Sequence, residues 1–383
     1  MIKVHFYGVL IFGFIWLVQT SFLQGKEPIK YMQVATIESS AADEPSINVT
    51  FKDSVTNETI FLRKTKDNLP LHYYKKVIGE VCDDEECRLL DIFVYWNITG
   101  RYLGFELPKG EFLSKYDHDP FSENEYQQLH TLLAVESLPL DKVSFEKLLE
   151  QPKNKQEDID ALSGATSKNI ADMVVKGAAY TTYKLWNTVN GTTMDFVSEL
   201  TEKQLTPMLL NRILQSQDIT DKLWALHRMD VVIGLTPQLE ATLLEMISSD
   251  DFYLSYSAIK AINSIHLKSA EMQNSLFSIY QKANHSIKTA LLKKLMEAPF
   301  LSSEIIQTSR DLLPQLNGKQ LNDLLQLYAK HNINDVETYT AVAKILENEN
   351  KYISKNAYAF LIGLQINDDD IIELLNAYKK EKL

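Results

Sequence analysis

The sequence predicts an α+β protein in which an antiparallel-sheet domain precedes an all-α domain. Two runs, residues 75–82 and 87–96, are rich in β-branched and aromatic side chains and flank four acidic residues. Such residues fit pleated strands and polar residues end them, so the pattern indicates a β-hairpin. From about residue 195 onward, apolar residues recur at helical spacing between short polar breaks, without strand signals.

The remaining strand signals lie on either side of this hairpin. Residues 97–100 predict a turn in which Gly100 takes a positive φ, and residues 101–107 predict a third strand. Residues 26–72 are polar, with short β-like runs at 47–51 and 59–62, and we expect a loose or edge segment there.

Two helices are predicted between the sheet and the helical half. Ser122 and Glu125 form a capping-box pattern, which predicts a helix that reaches about residue 135 and carries His130. A second helix is expected directly after Thr166 and as far as about residue 189. Beyond it we expect ten or eleven helices, at about 34 to 36 residues per helical pair, which is typical of a degenerate HEAT-like or tetratricopeptide-like solenoid or of a helical bundle. The predicted domains are therefore 73–191, the sheet domain, and 195–383, the helical domain.

Charge and the N-terminal residues limit the possible partners and the location. The chain has 39 basic and 51 acidic residues, with a net charge of −12 that is spread along the sequence. This argues against nucleic acids and anionic membrane surfaces as partners, because both require clustered cations. Residues 1–25 contain an apolar run at 4–18, too short for an ordinary membrane span, and predict an export signal. We expect a periplasmic or other extracytoplasmic location, with an uncleaved membrane anchor as the alternative.

The chain has two cysteines, Cys82 and Cys87, at the ends of the predicted hairpin loop. In an oxidising compartment a close pair of this kind favours a disulfide. A dithiol redox switch is the second interpretation. A metal site is disfavoured, because two thiols without nearby Cys or His supply too few ligands.

One heptapeptide stands out for its chemistry: Asp160, Ala161, Leu162, Ser163, Gly164, Ala165 and Thr166. If a helix begins at Thr166, its free amides and positive dipole end favour a phosphate there. Gly164 and Ala165 leave space for a close approach, and Ser163 can donate a hydrogen bond to a phosphate oxygen. Asp160 can hold the loop. The alternative is that Ser163 and Thr166 merely cap a helix.

The heptapeptide resembles the flavinylation signature Asp-x-x-Ser/Thr-Gly-Ala-Thr of the FMN-binding domain family, and all five specified positions match. That family includes FMN-carrying subunits of the sodium-pumping NADH:quinone reductase and of the Rnf complex. The resemblance covers about residues 75–190. It implies that an exported flavin transferase joins FMN, through its phosphate, to Thr166. The cysteine hairpin, an insertion at 116–158 and the helical half depart from the minimal family domain, so redox partners do not carry over.

Other candidate contacts to a flavin or haem have simpler interpretations. His118 is flanked by two carboxylates, although a surface loop is the default for it, and His130 lies on the predicted helix. Three aromatic residues on predicted strands could stack on a flavin, although core packing is their ordinary role: Trp96, Tyr102 and Phe105.

The sequence thus predicts an electron carrier, rather than an enzyme with its own substrate, that exchanges electrons with membrane or extracytoplasmic proteins. Two other functions stay open. The first is a non-catalytic interaction protein that uses the helical half. The second is a thiol–disulfide protein that uses Cys82 and Cys87.

Overall fold

The computed structural model describes residues 27–38, 47–52, 59–66, 68–80, 88–115, 118–142, 149–150, 165–166, 171–231 and 234–382. The α+β class is confirmed, because an antiparallel sheet of six strands is followed by a long series of helices. No helix within these ranges is long and apolar enough to cross a membrane. The predicted export signal, 1–25, lies outside them.

The large sheet has the strand order β1-β6-β5-β4-β3-β2, and every neighbouring pair is antiparallel. Its strands are β1 (Lys30–Met32), β2 (Ile47–Lys52), β3 (Thr59–Lys64), β4 (Pro70–Gly79), β5 (Leu90–Asn97) and β6 (Tyr102–Glu106). The predicted hairpin corresponds to β4 and β5, and the predicted third strand to β6. Both predictions are confirmed.

The described parts of the polar segment 26–72 contain more strand than we expected. Its two β-like runs form β2 and β3, and β1 adds a strand at the other edge of the sheet. β3 is an interior strand whose Ile60 and Leu62 are fully buried. The expectation of a loose segment is therefore wrong for β3, because alternate apolar residues in a short run suffice to join a strand to a core.

The turn between β5 and β6 follows the prediction. Gly100 has a φ of +95°, and its amide donates to the carbonyl of Asn97 at 3.0 Å. A Cβ at this position would also contact the backbone carbonyl of Met194. The turn therefore requires glycine both for its conformation and for its contact with the helical half.

Two helices, α1 (Glu123–Leu133) and α2 (Ala179–Asn190), lie against each other beside the sheet. The capping box at Ser122 and Glu125 is present as predicted. The side chain of Trp96, on β5, is fully buried, and its indole nitrogen donates to the carbonyl of Val189 on α2 at 2.9 Å. This bond joins the sheet to α2.

The prediction of one long helix directly after Thr166 is wrong. In the described residues there is a 3₁₀ turn at Ala171–Met173, and α2 begins only at Ala179. Gly177 has a φ of +73°, which an α-helix does not accommodate. The prediction rested on apolar residues at helical spacing. Val174 and Val175 are buried in the core, but they lie in an irregular segment rather than in a helix.

Twelve further α-helices lie between residues 192 and 382 of the described chain, against ten or eleven expected. They are α3 (Thr192–Glu202), α4 (Pro207–Leu214), α5 (Ile219–Leu226), α6 (Pro237–Ile247), α7 (Phe252–Ala261), α8 (Ala270–Lys282), α9 (His285–Leu295), α10 (Ser303–Leu312), α11 (Gly318–Lys330), α12 (Val336–Ala343), α13 (Lys351–Ile362) and α14 (Asp369–Lys382).

These helices recur with a constant period. The helices α6, α8, α10, α12 and α14 begin at residues 237, 270, 303, 336 and 369, so that each starts 33 residues after the last. The helices α5, α7, α9, α11 and α13 begin at 219, 252, 285, 318 and 351, again 33 residues apart. The predicted spacing of 34 to 36 residues per pair was slightly too long. We call α4, α6, α8, α10, α12 and α14 the first helices. We call α5, α7, α9, α11 and α13 the second helices.

The two series form separate layers. Each first helix contacts the next first helix, and each second helix contacts the next second helix. The layers differ in charge: the first helices carry ten acidic and six basic residues, a net charge of −4. The second helices carry nine lysines and two aspartates, a net charge of +7. The nine are Lys222, Lys260, Lys288, Lys293, Lys294, Lys319, Lys330, Lys351 and Lys355.

A buried polar network joins the sheet half to the helical half. Asp221, on α5, is fully buried and accepts hydrogen bonds from Thr99 Oγ1 at 2.6 Å and from Arg101 Nη2 at 2.8 Å. Ser216 Oγ donates to Asp221 Oδ2 at 2.8 Å, the same oxygen that accepts from Arg101 Nη2, whereas Thr99 donates to Oδ1. Since Thr99 and Arg101 belong to the β5–β6 turn region, one carboxylate holds the sheet and the helices together.

Candidate functional site

The motif lies partly within the described residues. Ala165 and Thr166 form a two-residue strand, β8, which pairs antiparallel with β7 (Leu149–Glu150), and Thr166 lies opposite Leu149. Asp160, Ser163 and Gly164 lie outside the described residues. The backbone of the predicted FMN acceptor is therefore held by strand pairing.

This position contradicts the helix-terminus argument for a phosphate. Thr166 precedes Ala179, the first residue of α2, by 13 positions, and α2 is the first α-helix after it in the described chain. Such stabilisation of a phosphate requires a helix that begins at Thr166, whereas the described residues place Thr166 on a strand and begin the next α-helix at Ala179. Ser163, the other residue of the capping alternative, lies outside the described residues.

The three aromatic residues predicted on strands all lie in the core. Trp96, Tyr102 and Phe105 are at most 2% exposed, so their ordinary packing role is confirmed. Tyr102 Oη lies 3.0 Å from His130 Nδ1 in the same buried region. Burial lowers the pKa of His130 and raises that of Tyr102, which favours a neutral hydrogen-bonded pair.

His118 and His130 thus have different surroundings. His118 is exposed in a loop with a φ of +64°, which agrees with the surface-loop interpretation. His130 lies on α1, is 7% exposed and packs among aromatic rings, including Tyr31 at 5.8 Å between ring centroids. Neither position suggests a haem ligand.

The opposite face of the sheet carries an aromatic row that we did not predict. Phe61, Tyr74 and Tyr95 lie side by side on β3, β4 and β5, as consecutive partners in the strand register. Their ring centroids are 5.2 Å and 5.8 Å apart, in stacked geometry. All three are half-buried, so that part of each ring is accessible.

Polar and charged groups surround this row. The ring of His72 meets Tyr95 edge-on at 5.5 Å, and burial, together with the charges of Arg63 and Lys30, lowers the pKa of His72 to about 4. Tyr95 Oη donates to Glu106 at 3.2 Å, and Lys30 pairs with Glu106 at 2.8 Å. Burial and the Glu106 carboxylate raise the pKa of Tyr95, so that it stays protonated.

A sequence signal for this row does exist. Residues 72 and 74 on β4, and 93 and 95 on β5, are aromatic or histidine at alternate positions, which places them on one face of the sheet. The buried set, such as Tyr73 and Trp96, occupies the intervening positions. Both faces of these strands are thus aromatic, and composition alone does not tell the accessible face from the buried one.

The predicted disulfide lies in a part of the chain that the structure does not describe. Residues 81–87, with Cys82 and Cys87, lie outside the described ranges, so the disulfide stays a prediction. The strand ends that lead to this loop are paired, with Gly79 opposite Leu90. Among the described residues there is no group of three or more His, Cys, Asp or Glu that could hold a metal ion.

Comparisons of the chain with models of protein families, with curated proteins and with solved structures found no match.

Proposed function

We propose that this chain is an extracytoplasmic electron-transfer flavoprotein that carries FMN through a phosphoester on Thr166. The observation that carries the proposal is the heptapeptide at residues 160–166, which matches every specified position of the flavinylation signature. Maturation then requires a flavin transferase in the same compartment.

The residues present fit such a group in two respects. Thr166 supplies the hydroxyl, and strand pairing with Leu149 fixes its backbone. The half-buried row of Phe61, Tyr74 and Tyr95 is a ring surface of the kind on which a planar isoalloxazine stacks.

Each motif residue then has a separate role. The Thr166 hydroxyl oxygen displaces the second phosphate of a flavin dinucleotide bound by the transferase: the new bond joins oxygen to the FMN phosphorus, the pyrophosphate bond breaks, a nucleoside monophosphate leaves, and the hydroxyl proton is released. Gly164 and Ala165 leave the space that a macromolecular transferase needs. Ser163 donates a hydrogen bond to a phosphate oxygen, and Asp160 holds the loop or lies near the metal ion of the transferase. FMN, when bound, supplies reversible one- and two-electron transfer, and a covalent bond keeps it from diffusing away outside the cytoplasm.

For the helical half we propose a HEAT-like solenoid that docks a redox partner protein. The 33-residue period and the two layers of helices support this, because stacked helical pairs with a constant repeat form extended binding surfaces. The alternatives are an interaction protein without a flavin and a thiol–disulfide protein that acts through Cys82 and Cys87.

One experiment separates these functions. The full chain is co-expressed with an exported flavin transferase, and flavin fluorescence is measured on the denatured chain after gel electrophoresis. We expect a fluorescent band and an intact mass increased by one FMN phosphoester. Thr166→Val removes both signals, whereas Cys82→Ser and the exposed control Thr131→Val retain them. A bare polypeptide mass for the wild-type chain would overturn the proposal.

A further inference from the structure

We propose that the layer of second helices is a docking surface for an acidic, extended protein segment. This inference rests on the helical half alone and is independent of the flavin. Its basis is the separation of charge between the two layers, +7 against −4, in a chain whose net charge is −12.

The outward side of the second helices is a regular stripe. Positions i, i+3 and i+7 of each helix face away from the core, and they recur every 33 residues from helix to helix. From α7 to α13 this stripe contains four exposed lysines and no acidic residue: Lys260, Lys293, Lys319 and Lys355. The two aspartates of the layer, Asp221 and Asp323, are both buried.

Most of the positive charge on the stripe is not neutralised by an ion pair in the described part of the chain. Lys319 pairs with Asp323. Lys260, Lys293 and Lys355 form no ion pair with any residue in the described part of the chain. Lysines that form no ion pair on one side of this layer create a local positive potential, which attracts an oppositely charged partner although the whole molecule is acidic.

Exposed aromatic rings lie between these lysines. Tyr253 is 74% exposed, Tyr256 38% and Tyr352 56%, and all three belong to the stripe. The ring of Phe252, also exposed, stacks on Tyr256 at 5.7 Å, while Lys260 Nζ lies 5.0 Å from the centre of the Tyr256 ring. Exposed tyrosines beside cations are typical of protein-binding surfaces, where the rings take up apolar side chains.

The spacing of Lys260 and Lys293 fits an extended polypeptide. Packed helices lie about 8–10 Å apart, so that Lys260 and Lys293, at equivalent positions of neighbouring second helices, have about that separation. In an extended chain every third residue advances about 10 Å. A segment with a carboxylate at every third position therefore places successive carboxylates at Lys260 and Lys293, whereas Lys319 and Lys355 lie at other positions along their helices.

The composition of the stripe disfavours the other polyanions. None of the second helices contains an arginine, the residue that binds phosphate groups with two hydrogen bonds. The neighbouring layer is acidic, and it repels a long polyphosphate or an anionic bilayer at the edges of the surface. A short acidic protein segment avoids that repulsion.

The test is fluorescence anisotropy of labelled poly-L-glutamate with the full chain at low ionic strength. The stripe variant is Lys260→Glu, Lys293→Glu and Lys355→Glu together. The control variant is Lys282→Glu, Lys379→Glu and Lys380→Glu, three exposed lysines of the first helices, which gives the same change in net charge. We expect the stripe variant to bind at least about tenfold more weakly and the control within about threefold of wild type.

Three outcomes would overturn the inference. The two triple variants weaken binding equally, so that only bulk charge matters; wild type shows no binding; or oligothymidylate or anionic vesicles bind more tightly than poly-L-glutamate. Thermal melting checks that both variants fold. If the stripe variant does not fold, Lys293→Glu alone replaces it and is expected to weaken binding about threefold, with Lys282→Glu as its control.

The tyrosines give a second measurement. A random copolymer of glutamate and tyrosine is expected to bind more tightly than poly-L-glutamate, because its rings can pack on Tyr253 and Tyr256. Replacing both with serine should remove this advantage and leave the affinity for poly-L-glutamate within about twofold. Equal affinities of the two polymers for wild type would contradict the role of the rings.

Discussion

The carboxylate of Asp221 gives the sharpest test of how the two halves are joined. Its side chain is fully buried, while that of Arg101 is 11% exposed, and the two form a hydrogen-bonded ion pair at 2.8 Å. In Asp221→Asn the shape is kept, but the guanidinium loses its buried negative partner. Removing one partner of a buried pair costs about 3–5 kcal/mol, because the remaining charge stays desolvated.

We expect the cost of Asp221→Asn to lie at the lower end of that range. Arg101 also lies 3.3 Å from Asp218, whose side chain is 29% exposed and which remains in the variant. We therefore expect Asp221→Asn to lower the free energy of unfolding by about 3 kcal/mol. An exposed pair provides the control: Glu199 and Lys203 lie 3.9 Å apart at 65% and 69% exposure, and Glu199→Gln should cost at most about 0.5 kcal/mol.

Urea unfolding followed by tryptophan fluorescence and by far-UV circular dichroism measures both effects. Because Asp221 connects the sheet half to the helical half, its loss should also make the two halves unfold at different urea concentrations. A double-mutant cycle with Arg101→Met isolates the pair, and we expect the double variant to be more stable than the sum of the single losses implies. A cost below about 1 kcal/mol for Asp221→Asn, or strict additivity in the cycle, would refute this account of the junction.

Two further predictions concern the sheet. His72 has its pKa lowered to about 4 by burial and by nearby Arg63 and Lys30, so the unfolded chain takes up a proton near pH 6.5 while the folded chain does not. The free energy of unfolding should therefore fall as the pH is lowered from 6.5 to 4. In urea unfolding, His72→Gln should reduce the loss of that free energy between pH 7 and pH 4.5 by about 2 kcal/mol, and an unchanged loss would contradict the role of His72. Gly104→Ala should lower the thermal midpoint, because a Cβ would collide with the carbonyl of Tyr31 in the neighbouring strand, whereas Gly234→Ala, where nothing lies within 4 Å, should leave it nearly unchanged.

The sequence predicts the sheet well where local signals decide the structure. The β4–β5 hairpin and the turn at Gly100 follow from alternation and turn residues, which act within a few positions. The helix after Thr166 fails because apolar spacing is ambiguous: Val174 and Val175 are buried by tertiary contacts in an irregular segment. The positive φ of Gly177, unlike that of Gly100, was not predicted from the sequence.

The helical period was also present in the sequence, but in the polar residues that cap the helices rather than in the apolar residues from which we predicted the spacing. The constant features are the helix caps, not an apolar consensus. A side chain accepts a hydrogen bond from the first turn of all five second helices and of the first helices α6, α8 and α12, whereas Ser302 before α10 does not. These side chains are Thr236, Ser269 and Asp335 for first helices, and Asp218, Asp251, Asn284, Asn317 and Asn350 for second helices. Polar capping residues at a fixed interval are therefore a better signal for a degenerate repeat.

The net charge of the whole chain does not describe the charge of each helical layer. Counted along the sequence, the net charge is acidic and spread along the chain, which argues against nucleic acids and anionic membrane surfaces as partners. Successive helices belong to different layers, however, so that an alternation along the chain becomes a separation in space: second helices carry +7 and first helices −4. A partner meets one layer at a time. Since Asp221 joins the first of the second helices to the sheet, a segment docked on that layer is held in a fixed relation to the sheet domain.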